Sequence, residues 1–127
     1  MDRCPRVLFV LDHIGKPAIR DGQLDPWREH IRALASLPNV VCKLSGVLTE
    51  ADHDTWTIEQ VMPYLEHAVE VFGPDRIMFG GDWPVLRLAG TYSEWMELVI
   101  RLAHSLSEPD RDKLFSSNAE RVYRLTA

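Results

Sequence analysis

One histidine and one aspartate stand just after apolar runs of this sequence. His13 follows the run VLFVL (residues 7–11), and Asp82 follows RIMFG (residues 76–80). An imidazole and a carboxylate that converge can divide the acid and base roles of a hydrolysis, and the same pair can bind a divalent metal. Asp82 has a second interpretation, because an aspartate in a turn often accepts hydrogen bonds from backbone donors. We take His13 and Asp82 as the candidate catalytic or metal-binding residues.

Three other residues near these runs are candidates for substrate binding. Lys16 lies in the same loop as His13, and Glu50 lies in the loop after the run VVCKL (residues 40–44). Trp83 follows Asp82 directly and would serve either as a packing element or as a wall against a substrate ring. The sequence has no glycine-rich phosphate loop and no serine-elbow motif, so those mechanisms have no residues here.

The three apolar runs predict the element that must bring these side chains together. Each run is nearly all apolar rather than alternating, which is typical of parallel strands covered on both faces. Helical patterns separate the runs, so the order is strand, helix, strand, helix, strand and a helical tail. This order predicts an α/β fold with right-handed crossovers. The carboxyl ends of parallel strands share one edge of the sheet, and functional side chains gather there.

Local signals predict where the helices begin. Asp25, directly before a proline, is predicted to cap the first helix. Thr57 and Gln60 have the spacing of a capping box at the start of the second helix. Pro63 conflicts with that start, so the second helix is either bent at Pro63 or begins after Thr57. Asn118 is predicted to cap the last short helix.

Composition excludes several classes of partner. The chain has 127 residues, of which 46% are hydrophobic and 26% charged, and its formal net charge is −5 at pH 7. Basic residues form no stripe or run, so we expect no nucleic acid and no anionic membrane as a partner. Its 2 cysteines make neither a disulfide framework nor a zinc pattern. With no secretory signal and no long apolar run, the expected location is cytoplasmic.

Four motifs in order resemble the amidohydrolase-related family. They are VLDHIGKP (residues 10–17), CKLSG (42–46), FGGDWPV (79–85) and NAERVYR (118–124), and together they extend over nearly the whole chain. The resemblance is greatest to the lactonase-type branch, which includes sugar-acid lactonases and sulfomuconolactone hydrolases.

The resemblance implies a fold larger than this chain. Family members form (β/α)8 barrels, and this chain resembles strands 6 to 8 with the carboxyl-terminal helices. Residues 1–127 are thus expected to form a single partial barrel domain whose N-terminal half is absent. The paired histidines (HxH) that the family places after strand 1 do not occur in this sequence. We therefore expect the chain alone to be inactive.

The resemblance also implies roles for two residues. Asp82 resembles the strand-8 aspartate, which acts as general base on the attacking water or as a metal ligand. His13 resembles the strand-6 histidine, which binds metal or polarises the scissile carbonyl. The implied cofactor is a divalent metal, zinc first, or none. The implied substrate is a small lactone or carboxylate.

Three alternatives to lactone hydrolysis stay open. A decarboxylase or a hydratase of the same superfamily would use the same fold, because the loops rather than the fold determine the reaction. A non-catalytic subunit would pair with a separately encoded N-terminal half or associate with itself. A chain without function is the third alternative.

Overall fold

The computed structural model describes residues 3–125, and its centre is a three-stranded parallel sheet. Strand β1 (Phe9–Leu11) pairs with β2 (Val40–Leu44), which pairs with β3 (Ile77–Phe79), so β2 is the central strand. The predicted α/β fold with parallel strands is confirmed. The helices are α1 (Trp27–Ala35), α2 (Ile58–Phe72), α3 (Tyr92–Ala103), α4 (Glu108–Asp112) and α5 (Asn118–Tyr123).

The two faces of the sheet differ in chemistry. Successive residues of a strand point to opposite faces. Cys42 and Leu44 of β2 are buried in the hydrophobic core together with helix residues such as Ile31 of α1 and Leu65 of α2. Lys43, between them, points to the other face and forms an ion pair there. The helices therefore cover an apolar face, and the opposite face is polar near the carboxyl ends of the strands.

The outer strands are shorter than the apolar runs predict. Val7 and Leu8 are exposed, and the backbone of Val7 is held in a turn by its N–H bond to the carbonyl of Cys4. The first ladder bond is made by Phe9, whose N–H donates to the carbonyl of Asn39 at 2.8 Å. At the third run, β3 ends at Phe79 rather than at Gly80.

The second helix begins at the predicted capping box. The N–H of Gln60 donates to Thr57 Oγ1, and the N–H of Thr57 donates to Gln60 Oε1 at 3.0 Å. Pro63 lies inside a helix that runs without interruption from Ile58 to Phe72, so the helix does not begin later than its capping box, and a bend at Pro63 stays a prediction. Pro63 and Glu59 are exposed, and the Glu59 carbonyl that loses its helical partner can bond to water. No helix within residues 3–125 combines the length and apolarity needed to cross a bilayer.

Two predicted caps are wrong. The carboxylate of Asp25 accepts hydrogen bonds from the guanidinium of Arg28, at 3.1 and 2.7 Å, instead of capping α1. Asn118 is the first residue of α5 and makes no cap, because a π-helical turn (Lys113–Ser117) joins α4 to α5 without a free helix start. The Asn118 side chain is buried and bonds to the backbone around β3 instead.

Candidate active site

A tight turn at the end of β1 aims His13 towards the central strand. His13 and Ile14 adopt left-handed backbone angles, with φ of 54° and 44°. Such angles are rare for residues other than glycine and persist where the surroundings hold them. Here the Ile14 side chain is fully buried, and its carbonyl accepts a hydrogen bond from Nε1 of Trp27 at 2.7 Å. The first turn of the loop is therefore anchored to α1.

The structure brings His13 and Asp82 together across β2. Nδ1 of His13 lies 3.9 Å from Oδ1 of Asp82 and 2.8 Å from Oγ of Ser45, the residue after β2. Nε2 of the same ring lies 3.5 Å from Oδ2 of Asp12. The side chain of Asp82 is only 11% exposed, and its backbone φ is 50°. Residues from three strand ends thus converge on one imidazole, as the carboxyl-edge rule predicts.

Gly46 makes room for this imidazole. Its φ is +60°, and a Cβ added there would lie 2.6 Å from Nδ1 of His13 and 2.7 Å from Cγ. Both the backbone angle and the close approach of the ring require a glycine at this position. The backbone just after the central strand therefore packs directly against His13.

An ion pair lies beside the histidine on the polar face. Nζ of Lys43 is 2.8 Å from Oδ1 of Asp12. Partial burial alone would raise the pKa of Asp12, but the hydrogen bond from Lys43 and the charges of Lys43 and His13 together hold that pKa below its usual range. Asp12 is therefore an anion near neutral pH, and its negative charge lies close to Nε2 of His13.

The three predicted substrate-binding residues lie on loops at the carboxyl edge of the sheet, which is called the rim below, but in two separate places. Nζ of Lys16 is 2.7 Å from Oε1 of Glu50, which ties the loop after β1 to the loop after β2. That hydrogen bond and the charge of Glu50 raise the pKa of Lys16, with a smaller contribution from Asp82. Trp83 is 67% exposed and lines an open groove of about 400 Å³ with Arg87 and Tyr92.

The described residues do not make a zinc site by themselves. Protein zinc sites use three or four nitrogen, sulfur or oxygen ligands. Within residues 3–125, no three histidine, cysteine, aspartate or glutamate side chains come together closely enough to hold a metal. His13 and Asp82 offer two ligands, and Nδ1 of His13 already bonds to Ser45.

The sequence places Asp12 and Ser45 directly after two of the strands but gives neither a role, and it does not mark Gly46 or Lys43 as site residues. The signal for Ser45 is its position directly after the central strand, the same rule that selects His13 and Asp82. No sequence signal marks the packing of the ring on Gly46, because a glycine after a strand reads as an ordinary turn.

Comparison with known proteins decides the family. The family model described as Amidohydrolase matches residues 1–125. The chain belongs to the amidohydrolase family. The resemblance predicted from the four motifs is confirmed.

The relatives of this amidohydrolase include lactonases and a decarboxylase. The L-fucono-1,5-lactonase of Burkholderia multivorans is 48% identical over an alignment 130 residues long, which covers 92% of this chain and 43% of the relative. The gamma-resorcylate decarboxylase of a Rhizobium species is 29% identical over 98% of this chain and 36% of its own length. The amidohydrolase chain thus spans less than half the length of the curated relatives it matches.

The fold is similar to that of a solved amidohydrolase. A crystal structure of an amidohydrolase from Burkholderia multivorans with bound zinc has a TM-score of 0.94 and 44% identity to this chain. The match covers 98% of this chain and 46% of that one. The arrangement of β1, β2, β3 and their helices is therefore similar to that of about half of the solved amidohydrolase.

Proposed function

We propose that this amidohydrolase chain supplies the His13 and Asp82 part of an active site that hydrolyses a lactone. The observation that carries the proposal is the approach of the two side chains, 3.9 Å apart at the polar edge of the sheet. The name of the 48% identical relative, an L-fucono-1,5-lactonase, supports the lactone as the substrate class. A sugar-acid lactone or a muconolactone-type ring fits the proposal.

The proposed reaction adds one water to the lactone carbonyl. Asp82 removes a proton from the water as its oxygen attacks the carbonyl carbon. His13 donates a hydrogen bond to the carbonyl oxygen, where negative charge develops. The carbon–oxygen bond of the ring then breaks, and the proton held by Asp82 passes to the ring oxygen that leaves. The product is an open-chain hydroxy acid. A zinc ion would need ligands beyond His13 and Asp82, so no step is assigned to it.

The remaining rim residues are proposed to bind the substrate. Trp83 and Tyr92 line one groove and offer aromatic faces to a sugar-sized ring. Trp83 directly follows Asp82 in the sequence. The Lys16 and Glu50 pair offers a cation and an anion for hydroxyl or carboxylate groups of the substrate. The substrate-binding function of Trp83, Lys16 and Glu50 stays a prediction.

We further propose that residues 1–127 form one partial barrel domain, equivalent to the last three β/α units of a (β/α)8 barrel. Support comes from the match to 46% of a larger amidohydrolase and from the open edges of the sheet at β1 and β3. The remaining units would supply the rest of the pocket. They would come either from the same polypeptide or from a separate complementing chain, and the 127-residue chain alone is expected to lack lactonase activity.

A chimera tests the proposed reaction. Residues 1–127 would replace the region that they match in the Burkholderia multivorans lactonase, so that the relative supplies the remaining units. The purified chain and the chimera would be assayed with L-fucono-1,5-lactone, a muconolactone and 2,6-dihydroxybenzoate. We expect lactone hydrolysis by the chimera and none by the chain alone. A folded chimera that decarboxylates the benzoate and leaves lactones intact would replace lactonase with the decarboxylase alternative.

A further inference from the structure

We propose that Ser45 is a positioning residue that fixes both the orientation and the tautomer of His13. The proposal rests on the proposed function for its purpose, but its evidence is the geometry of this chain. Ser45 is 1% exposed, directly follows the central strand, and its Oγ lies 2.8 Å from Nδ1 of His13. A buried hydroxyl directly after a rigid strand has a fixed position, so its hydrogen bond can orient a side chain on a neighbouring turn.

The hydrogen-bonding needs of Ser45 select one tautomer. A buried hydroxyl proton without an acceptor is costly, and within residues 3–125 the only hydrogen bond of the Ser45 side chain is the one to His13. The hydroxyl satisfies its proton only by donating to Nδ1, which must then carry no proton. The neutral ring therefore carries its proton on Nε2.

The other side of the ring favours the same tautomer. Nε2 lies 3.5 Å from Oδ2 of Asp12, and the ion pair with Lys43 keeps Asp12 in its anionic, acceptor-only form. A proton on Nε2 faces that carboxylate favourably, whereas a lone pair there would be repelled by it. Ser45 and Asp12 thus act on opposite nitrogens of the ring with the same result.

Close packing restricts the ring further. The backbone of Gly46 lies against the imidazole so tightly that a Cβ would come within 2.9 Å of three His13 atoms. The Gly46 backbone therefore packs against the ring, and the Ser45 hydroxyl is hydrogen-bonded to one of its nitrogens. It cannot turn over to exchange its nitrogens without losing both contacts.

This arrangement suits the proposed reaction. Asp12 is about half exposed and its Oδ2 is 3.5 Å from Nε2, too far for a strong hydrogen bond, so a lactone carbonyl can accept the hydrogen bond from Nε2 instead. Nδ1, held by Ser45, is the nitrogen nearer to Asp82. The positioning residue thereby directs the donating nitrogen to the substrate without touching the substrate itself.

Long-range ¹H–¹⁵N correlation spectra of the histidine rings test the proposal on the 127-residue chain. A free imidazole is neutral above about pH 8, and in a neutral ring the unprotonated nitrogen resonates well downfield of the protonated one. His13 is assigned from the signals lost in His13→Asn. We expect a downfield Nδ1 and an upfield Nε2 in the unmodified chain. A protonated Nδ1 there would overturn the proposal before any Ser45 variant is made.

Ser45→Ala is compared with Ser105→Ala, which removes a serine hydroxyl that donates to the carbonyl of Leu102 outside the site. We expect the two His13 nitrogen shifts to move towards each other in Ser45→Ala, as tautomers mix, and to stay unchanged in Ser105→Ala. His13 shifts that are the same in folded Ser45→Ala as in the unmodified chain would refute the positioning function.

A pair of glycine variants provides a test that retains the serine. Gly46→Ala and Gly22→Ala both place an alanine at a positive φ, +60° and +65°, but only the first meets other atoms within 4 Å, namely those of His13. We expect Gly46→Ala to move the His13 ring signals and Gly22→Ala to leave them in place. Unchanged His13 signals in Gly46→Ala would contradict the packing on which the fixed orientation depends.

The spectra separate this proposal from the proposed function. If the tautomer depends on Ser45 and the chimera hydrolyses no lactone, the positioning of His13 stands and the reaction assignment fails. If the chimera is a lactonase and its Ser45→Ala variant keeps the unmodified kcat and pH profile, the reaction stands and the positioning function fails.

Discussion

The side-chain amide of Asn118 donates a hydrogen bond of 2.7 Å to the carbonyl of Ile77, the first residue of β3. A second bond of 2.7 Å goes to the carbonyl of Pro74, and Oδ1 of Asn118 accepts from Arg121 at 3.0 Å. Asn118 itself is buried, at 4% exposed, and its bond to Ile77 is buried while the other two bonds are partly buried. The last helix is therefore bonded to the strand whose other end leads to Asp82.

Asn118→Ala is expected to destabilise the chain strongly. The substitution leaves two backbone carbonyls near β3 without their donor, and each unsatisfied buried carbonyl costs about 1–3 kcal/mol. We expect a loss of at least ~2 kcal/mol in the free energy of unfolding, measured by urea titration.

The control for this variant is Asn39→Ala. The Asn39 amide also donates to two carbonyls, those of Cys4 and Val7, but at a more exposed place where water can replace it. Its loss should cost less than about 1 kcal/mol. Equal destabilisation by the two variants would contradict the buried bridge from α5 to β3.

The two cysteines are expected to differ sharply in reactivity. Burial raises the pKa of the Cys42 thiol to about 12, whereas Cys4 is exposed. A thiol reagent such as Ellman's at pH 8 should therefore modify one thiol of the native chain quickly and the second only after denaturant is added. Cys4→Ser should abolish the fast phase. Rapid modification of both thiols in the native chain would show that β2 is not covered as described.

The succession of strands and helices along the chain and the bounds of β2 could be predicted from the sequence because they depend on local pattern. Three nearly all-apolar runs separated by helical segments permit little besides a parallel sheet, and β2 has the predicted bounds of residues 40–44. The outer strands were less predictable. Whether Val7 and Leu8 pair with a neighbour depends on the backbone turn at Cys4, and residue type does not report that turn.

The helix caps also show that local features can be predicted from the sequence and that features with distant partners cannot. The Thr57 and Gln60 box is local, since its two bonds lie within four residues, and it was predicted correctly. The predicted cap at Asn118 was wrong because a distant partner, the carbonyl of Ile77, competes for the side chain.

The candidate site follows the same division. The position of strand ends predicts that His13 and Asp82 share an edge, and the structure places them 3.9 Å apart. The contacts of Ser45 and Gly46 with the ring depend on the left-handed angles of the turn at His13. No sequence pattern specifies those angles, so these contacts could be identified only in the structure.

The ion pair of Asp12 and Lys43 is expected to give a pH-dependent stability. The pKa of Asp12 is lowered in the folded chain, so its contribution is present above the unfolded value of about 3.9 and is lost as the pH falls through the lower folded value. The pKa of Lys43 is raised, since the bonds to Asp12 outweigh its partial burial. The Lys43 contribution is therefore present below about 10.4 and is lost as the pH rises through the higher folded value.

Asp12→Asn tests this window. The variant should unfold at a lower temperature than the unmodified chain at pH 7. The free energy of unfolding should fall by less than about 1 kcal/mol, because half of the Asp12 side chain is exposed to solvent. The difference should shrink towards zero as the pH falls below the unfolded value of about 3.9 and through the lower folded value. Asp112→Asn, at an exposed position with no ion pair among residues 3–125, serves as the control. A gap that persists undiminished at low pH would show that the pair is not its cause.

Asp82→Asn gives the sharpest test of the proposed base. The amide has nearly the same shape as the carboxylate but cannot remove a proton from water. In the active chimera we expect kcat for lactone hydrolysis to fall by about 10²–10⁴-fold. KM should change little, because the contacts of Trp83, Lys16 and Glu50 are retained. Asp21→Asn, at an exposed position outside the site, should retain full activity. An Asp82→Asn chimera with undiminished kcat would leave Asp82 as a turn residue and require another base on the rim.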